Sequence, residues 1–371
     1  MKKQKIIIFT PLAGRTGSEM MIWYILKHFD RSLFEITIVS FSDGELMKEL
    51  PADVRGFVIN KNFSLLDKLK FKLGHNPISK AIQQIQQEIQ ADIWYVNTIT
   101  LPEVYPLAKG FSVKVVTHFH ELPLSFGSIK QQDLEAIIEY SDLNIGCAAC
   151  VCNAIELAGG KKVSLLYSLV DTSTILADTN RMSVLKEQLG IQAQDTVWVM
   201  SGTTDPRKGF DFLPKIAAQL PESHHLIWVG GRQHTGFSYY VEKICERLQG
   251  GATIHILGAQ KADYYNYLAL ADAFLLLSRE DPYPLVMIEA AFLGKPIFAF
   301  QSGGVMEFVQ QGMGGIVQNF DVTALVALMT QWKQGLLPTD ASISKARASQ
   351  FDALVQLKNW EKIMTTNFLN G

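Results

Sequence analysis

What this 371-residue chain lacks narrows its class before anything it contains. No run approaches the ~20 consecutive apolar residues of a membrane-spanning helix. Charges nearly cancel, with 34 Lys and Arg against 36 Asp and Glu and a formal net charge of -2. The basic excess of a nucleic-acid-binding surface is therefore missing. Cysteine is scarce: Cys147, Cys150, Cys152 and Cys245. Cys147-x-x-Cys150 has the form of a redox or zinc half-site, but no second CxxC or His pair follows at zinc spacing, which favours buried structural thiols in a reducing compartment. There is no repeat at solenoid spacing and no low-complexity tract. The N-terminal Lys2-Lys3-Gln4-Lys5 precedes an apolar run, 6–9, too short for a signal peptide, with Gly14, Arg15 and Glu19 following at once. These absences predict a soluble, cytoplasmic protein with no nucleic-acid partner and no bound metal.

What is present is material for two cores. Hydrophobic residues make up 48% and charged residues 19%, and the length suits two α/β domains. Short β-rich runs at 6–9, 34–40, 56–59, 92–96, 113–118, 143–146 and 163–167 alternate with helical patterns such as 18–28, 78–89 and 131–140. After a polar, weakly periodic stretch at 171–182, where we place the linker, the pattern restarts with strands at 196–201, 226–229, 253–257, 273–277 and 296–300. Continuous apolar strands separated by helices indicate parallel sheets covered on both faces. The simplest architecture is two Rossmann-like domains facing each other across a cleft, with ligands at the C-terminal ends of the strands.

Several strand-end loops of the second half carry candidate chemistry. The first contains Gly202, Arg207, Lys208 and Gly209 before a helix at Phe210. Glycine permits close approach of a ligand, and adjacent cations compensate a departing diphosphate; the loop taken alone also reads as a solvated helix start with two surface cations. Gly230-Gly231-Arg232 and Gly258-Ala259-Gln260-Lys261 follow the next two strands, and each reads equally as a plain turn. The fourth loop runs Arg279-Glu280-Asp281-Pro282-Tyr283-Pro284 into an apolar helix from Leu285 that carries Glu289. Its N–H groups, near Pro284, Leu285 and Val286, suit phosphate. Asp281 can accept from sugar hydroxyls, and Glu289 can hold both hydroxyls of a ribose. In so apolar a helix an unpaired carboxylate is costly, which argues for a function. A fifth segment, Gln301-Ser302-Gly303-Gly304-Val305-Met306-Glu307, is either a ligand-approach turn or a tight turn only.

Together these segments resemble the family 4 glycosyltransferases of GT-B fold, most strongly over 201–315. That family's retaining enzymes carry Glu-x7-Glu where this chain has Asp281-x7-Glu289. The resemblance implies that Lys208 contacts the donor diphosphate, Glu289 the ribose and Asp281 the sugar-phosphate end. Many members place an Arg just after the first strand of this domain; Gly202 and Thr203 stand there, and Arg207 is the substitute at hand. The resemblance further implies an acceptor domain over 1–172, a nucleotide-sugar domain over 173–350, and a final helix, about 351–371, returning to the first domain.

In the first half, Gly14 and Gly17 lie in a loop that opens a helix without a GxGxxG fingerprint. The resemblance sets this loop beside the donor phosphate and acceptor. Thr117-His118-Phe119-His120-Glu121 ends the fifth strand, where the histidines are equally satisfied loop residues or functional ones. The resemblance favours His120 as a contact to the transferred sugar. Asn97, ending the preceding strand, and Glu121 are candidates for acceptor hydroxyls. From 61 to 80, five lysines interleave with apolar residues, a pattern that serves a peripheral membrane contact at the inner face or an ordinary amphipathic helix.

The resulting expectation is a retaining, metal-independent hexosyltransferase. It takes a nucleoside diphosphate sugar as donor and a saccharide or lipid-linked hydroxyl as acceptor, in polysaccharide or glycolipid synthesis, and needs no cofactor. The rivals are a sugar-nucleotide epimerase of the same fold and a non-catalytic sugar-nucleotide- or partner-binding protein.

Overall fold

The computed structural model describes residues 3–59 and 76–369. The chain forms two compact units, Met1–Val170 with Ala353–Gly371, and Asp171–Asp352. Of the 61–80 stretch read as a membrane-facing surface, 61–75 lies outside the described residues. Its last residues begin the helix Pro77–Ile89, whose first turn is capped by the Asn76 side chain. Among the described residues no helix is long and apolar enough to cross a membrane.

The first unit is built on β1 (Gln4–Thr10), β2 (Phe34–Ser40), β3 (Arg55–Val58), β4 (Ile93–Asn97), β5 (Lys114–Phe119), β6 (Leu143–Gly146) and β7 (Val163–Leu165). They pair in parallel in the order β3-β2-β1-β4-β5-β6-β7. Such a sheet must be covered on both faces, which is why Ile6, Ile7, Ile8 and Phe9 are all fully buried.

The second unit repeats the plan with β8 (Thr196–Ser201), β9 (His224–Val229), β10 (Thr253–Gly258), β11 (Ala273–Leu276), β12 (Ile297–Phe300) and β13 (Gly314–Val317). Their order is β10-β9-β8-β11-β12-β13, again parallel. β13 is absent from the strand pattern read above. Two of its four residues are glycine, so it has little of the β-branched signal that marks its neighbours.

The chain re-enters the first unit at Ala353, whose N–H donates to Val170 O at 2.8 Å. The helix Ala353–Phe368 then packs on the first unit, as expected from the resemblance. Its Trp360 is fully buried, with ring centroids 5.7 Å from Phe34 and 6.4 Å from Tyr95. Gln4 Nε2 donates to Phe368 O at 2.7 Å, and the Asp30 N–H to Glu361 Oε1 at 2.8 Å. Trp360→Ala should therefore open a cavity where the helix meets the sheet and cost about 3–5 kcal/mol. Denaturant unfolding followed by circular dichroism measures this loss.

Candidate functional site

In the second unit the strand order reverses between β8 and β11, and in open parallel sheets ligands bind beyond the carboxyl ends at such a point. The loops that leave these two strands are 202–209 and 277–284, the segments that carry Arg207, Lys208 and Asp281.

Three glycines clear the head of this sheet. Gly202, Gly230 and Gly258 follow or end β8, β9 and β10 side by side; the Gly202 N–H donates to Val229 O and the Gly230 N–H to Gly258 O, each at 3.0 Å. A Cβ on Gly230 would lie 2.0 Å from Gly202 O, and one on Gly202 would touch the methylenes of Lys208. Glycine here lets two backbones meet and lets the Lys208 stem cross the strand end.

That crossing delivers the Lys208 ammonium to Asp281 Oδ2 at 2.5 Å. The same oxygen accepts from Ser278 Oγ at 3.0 Å, and Asp281 is only 5% exposed. Asp205 holds the other end of the lysine residue by accepting its backbone N–H at 2.9 Å. Arg207 donates to Glu280 O at 3.1 Å, and its own carbonyl accepts the Arg279 N–H at 2.7 Å. Arg279 clasps Asp211 through two nitrogens at 2.7 and 2.8 Å and lies over the Phe212 ring. Sequence reasoning gave Arg279 no place in the site; its role comes from a partner 68 residues away.

The helix Leu285–Phe292 starts at the end of the second loop with Pro284 at its N-cap and no side-chain cap. Its first N–H groups are thus not claimed by a capping side chain. Glu289, one turn on, is 7% exposed. Its Oε2 accepts from Tyr264 at 2.9 Å and its Oε1 from Tyr265 at 3.2 Å. Burial pushes its carboxyl up to about 7, against the pull of the two hydroxyls. Neither tyrosine was a sequence candidate; adjacent Tyr residues at a helix start were the available signal.

The fifth segment is a packing turn. The Gly304 N–H donates to Pro282 O at 2.8 Å, and a Cβ there would lie 2.3 Å from that oxygen and from the Tyr283 ring. It braces the 281–284 loop from behind.

In the first unit Gly14 and Gly17 lie after β1, at that sheet's own reversal point, with Gly17 opening the helix Gly17–His28. His120 follows β5 and is partly buried. Asn97, expected to face acceptor hydroxyls, is fully buried, with both ends of its amide engaged inside the unit. Its Nδ2 donates to Ser18 O at 3.0 Å, so its Oδ1 must accept from His120 Nε2 at 2.8 Å. Asn97 therefore holds the His120 ring and leaves Nδ1 as the ring's acceptor. Burial lowers the His120 pKa to about 3, so the imidazole is neutral. Glu121 accepts the His120 N–H at 2.8 Å and the Thr98 hydroxyl, and burial raises its carboxyl to about 7. Cys147 is buried, and none of the four cysteines forms a disulfide.

Gly230→Ala is expected to destabilise the second unit by about 1–3 kcal/mol through overpacking. Gly231→Ala is its control, since a Cβ there meets nothing closer than 3.9 Å. Thermal unfolding of the two variants side by side checks the contrast.

Residues 182–348 match the family model described as Glycosyl transferases group 1. A GDP-mannose-dependent monoacylated alpha-(1-6)-phosphatidylinositol monomannoside mannosyltransferase of Corynebacterium glutamicum is 26% identical over 270 residues, 68% of this chain and 69% of the relative. A GDP-mannose-dependent alpha-(1-6)-phosphatidylinositol monomannoside mannosyltransferase of Mycolicibacterium smegmatis is 25% identical over 255 residues, 63% of this chain and 64% of that one. Among solved structures, Anabaena HepE in complex with UDP and glucose superposes with a TM-score of 0.82 at 24% identity, over 98% of this chain and 100% of that one. Sucrose-phosphate synthase of Thermosynechococcus elongatus does so with a TM-score of 0.81 at 16% identity, over the whole of both chains. Residues 182–348, within the second unit, thus carry a group 1 glycosyl transferase region, and the two Rossmann-like units have the GT-B fold.

Proposed function

We propose that this chain moves a hexosyl unit from a nucleoside diphosphate sugar to a hydroxyl of a saccharide or lipid-linked acceptor, with retention of anomeric configuration. The observation that carries the reading is the grouping at the β8/β11 reversal: the Lys208–Asp281 pair, a helix start without a side-chain cap at Leu285, and the buried Glu289 on that helix. The lysine and the helix start suit a diphosphate, and Glu289 suits a ribose. Gly258, where an added Cβ would meet nothing within 4 Å, gives the nucleotide open space at the end of β10. Two relatives are named for GDP-mannose-dependent transfer to phosphatidylinositol monomannosides, and a fold neighbour was solved with UDP and glucose. These support a nucleotide-sugar donor and a glycolipid acceptor; the proposal sets the reaction at the cytoplasmic face of a membrane.

The chemistry follows from the charges. As the bond from the sugar's anomeric carbon to the diphosphate oxygen breaks, its electron pair stays on that oxygen, and Lys208, Arg207 and the helix N–H groups offset the growing charge without a metal ion. The acceptor oxygen bonds to the same face of the anomeric carbon, and its proton passes to the departing phosphate oxygen. Asp281 is bound by Lys208 and Ser278, so it orients and balances charge; it is no free nucleophile. His120, neutral and held by Asn97, is assigned to a sugar hydroxyl through Nδ1.

Incubation of the full chain with a panel of UDP-, GDP- and ADP-sugars, with and without glycolipid acceptors, tests the reading. Transfer that needs the acceptor and keeps the anomeric configuration by NMR is the expected result. Turnover of donor into its epimer without acceptor, or a trapped glycosyl-enzyme, overturns it.

Glu289 also predicts a pH dependence. Only its ionised form offers lone pairs to both ribose hydroxyls, and burial delays ionisation to about pH 7. Affinity for the donor sugar nucleotide should rise as pH increases through about 7, by up to about tenfold per unit below it. Glu289→Gln should bind more weakly with a flat profile. Calorimetry from pH 5.5 to 8.5 reads both.

A further inference from the structure

The helix Tyr264–Leu270 contributes no ligand to the reading above, yet it is fastened to Glu289 and its surroundings at both ends. At its start, Tyr264 and Tyr265 each give a hydroxyl to a different oxygen of the Glu289 carboxyl. Because the Tyr264 proton is committed to Glu289, its oxygen accepts from Ser201 Oγ, 3.2 Å away at the end of β8. The two rings meet edge to face at 5.1 Å, which limits how far either can swing. At the other end, Lys295 Nζ donates to Ala269 O at 2.5 Å and Ala271 O at 2.6 Å. Lys295 lies just past the Glu289 helix, and its own N–H is bonded to Ala290 O at 2.9 Å.

A carboxylate has two oxygens and about four lone-pair directions. The tyrosines use one on each oxygen and fix the plane of the group. One acceptor direction per oxygen is left, which is the pattern two neighbouring hydroxyls require. We propose that Tyr264 and Tyr265 are positioning residues that hold the Glu289 carboxylate as a two-point acceptor for the vicinal diol of the donor's ribose, and so make the site select ribonucleotides over 2′-deoxyribonucleotides. The proposal rests on the reading of Glu289 as the ribose ligand.

Among the described residues, the titratable groups that face the Glu289 carboxyl are these two tyrosines, and their hydroxyls favour its ionised form. A role in positioning can therefore be told from a role in packing. Calorimetry with UDP, GDP and ADP identifies the tightest nucleotide. That nucleotide and its 2′-deoxy counterpart are then titrated into the wild-type chain, Tyr264→Phe, Tyr265→Phe, the double variant and Glu289→Gln. Phenylalanine keeps the rings and removes only the hydroxyls. The wild type should prefer the ribonucleotide by about tenfold or more, since a site built for a hydroxyl penalises its loss. The double variant should lose most of that preference. The pH midpoint of the ribo-to-deoxy affinity ratio, in which phosphate titration cancels, should move upward.

Equal weakening of both nucleotides with an unmoved midpoint would mean that the tyrosines only pack, and would overturn the proposal. An unchanged preference in the double variant would do the same. If Glu289→Gln leaves ribonucleotide affinity intact, the ribose reading of Glu289 has itself failed. If that variant loses affinity while the tyrosine variants keep preference and midpoint, only the role of the tyrosines has.

Discussion

A lysine ammonium and an aspartate carboxylate 2.5 Å apart, both largely removed from water, tie together the two loops at the head of the second sheet. Removing two charges from water is expensive, and their attraction repays it only when further polar groups complete the geometry. Here Ser278 completes it for Asp281 and Asp205 anchors the Lys208 backbone. The pair can form because Gly202 has no side chain to block the lysine stem, and Gly202 in turn accepts the close approach of Gly230. The lysine stem thus favours glycine at 202, and the close approach of the Gly202 backbone requires it at 230. Breaking it from either side would leave a buried charge uncompensated.

Glu289 solves the same problem by another route. No cation is bonded to it among the described residues; two neutral hydroxyls stabilise its charge only in part, and its titration stays near neutrality. The two acids of the Asp-x7-Glu segment therefore differ in kind. Asp281 is a charge neutralised by a fixed partner, whereas Glu289 is an acceptor with capacity left over. This division puts a compensated charge at the strand ends and a hydrogen-bond acceptor one helical turn further on.

Much of this plan was legible in the sequence. The strands at 34–40, 143–146 and 196–201 are readable to the residue because apolar runs are bounded by polar or glycine breaks. β13 is not, because Gly314 and Gly315 carry no propensity for a strand that forms only by pairing with β12. Lys208, Asp281 and Glu289 stand out as charges at strand ends or in apolar surroundings. Their partners do not: Lys208 and Asp281 are 73 residues apart, and Tyr264 lies 25 before Glu289. Asn97 shows the limit most clearly. A polar residue ending a strand looks solvent-facing in one dimension, and only the neighbouring strand, which brings His120 to its amide oxygen, decides that it is buried.

The replacement of the family's usual Glu by Asp at 281 fits this division of labour. An acid one methylene shorter keeps its carboxylate within the loop, where Ser278, three residues back, and Lys208 both reach the same oxygen. Paired with Asp281, the Lys208 ammonium is not a bare charge that any anion would satisfy. On the proposed reading, a diphosphate brings enough charge to share the lysine with Asp281, while the backbone N–H groups at Leu285 supply the rest. On that reading, the Lys208–Asp281 pair makes lysine binding conditional on a ligand that also fits the helix start. Selectivity at this end of the proposed site would then come from that joint requirement, since neither group would act on the ligand alone.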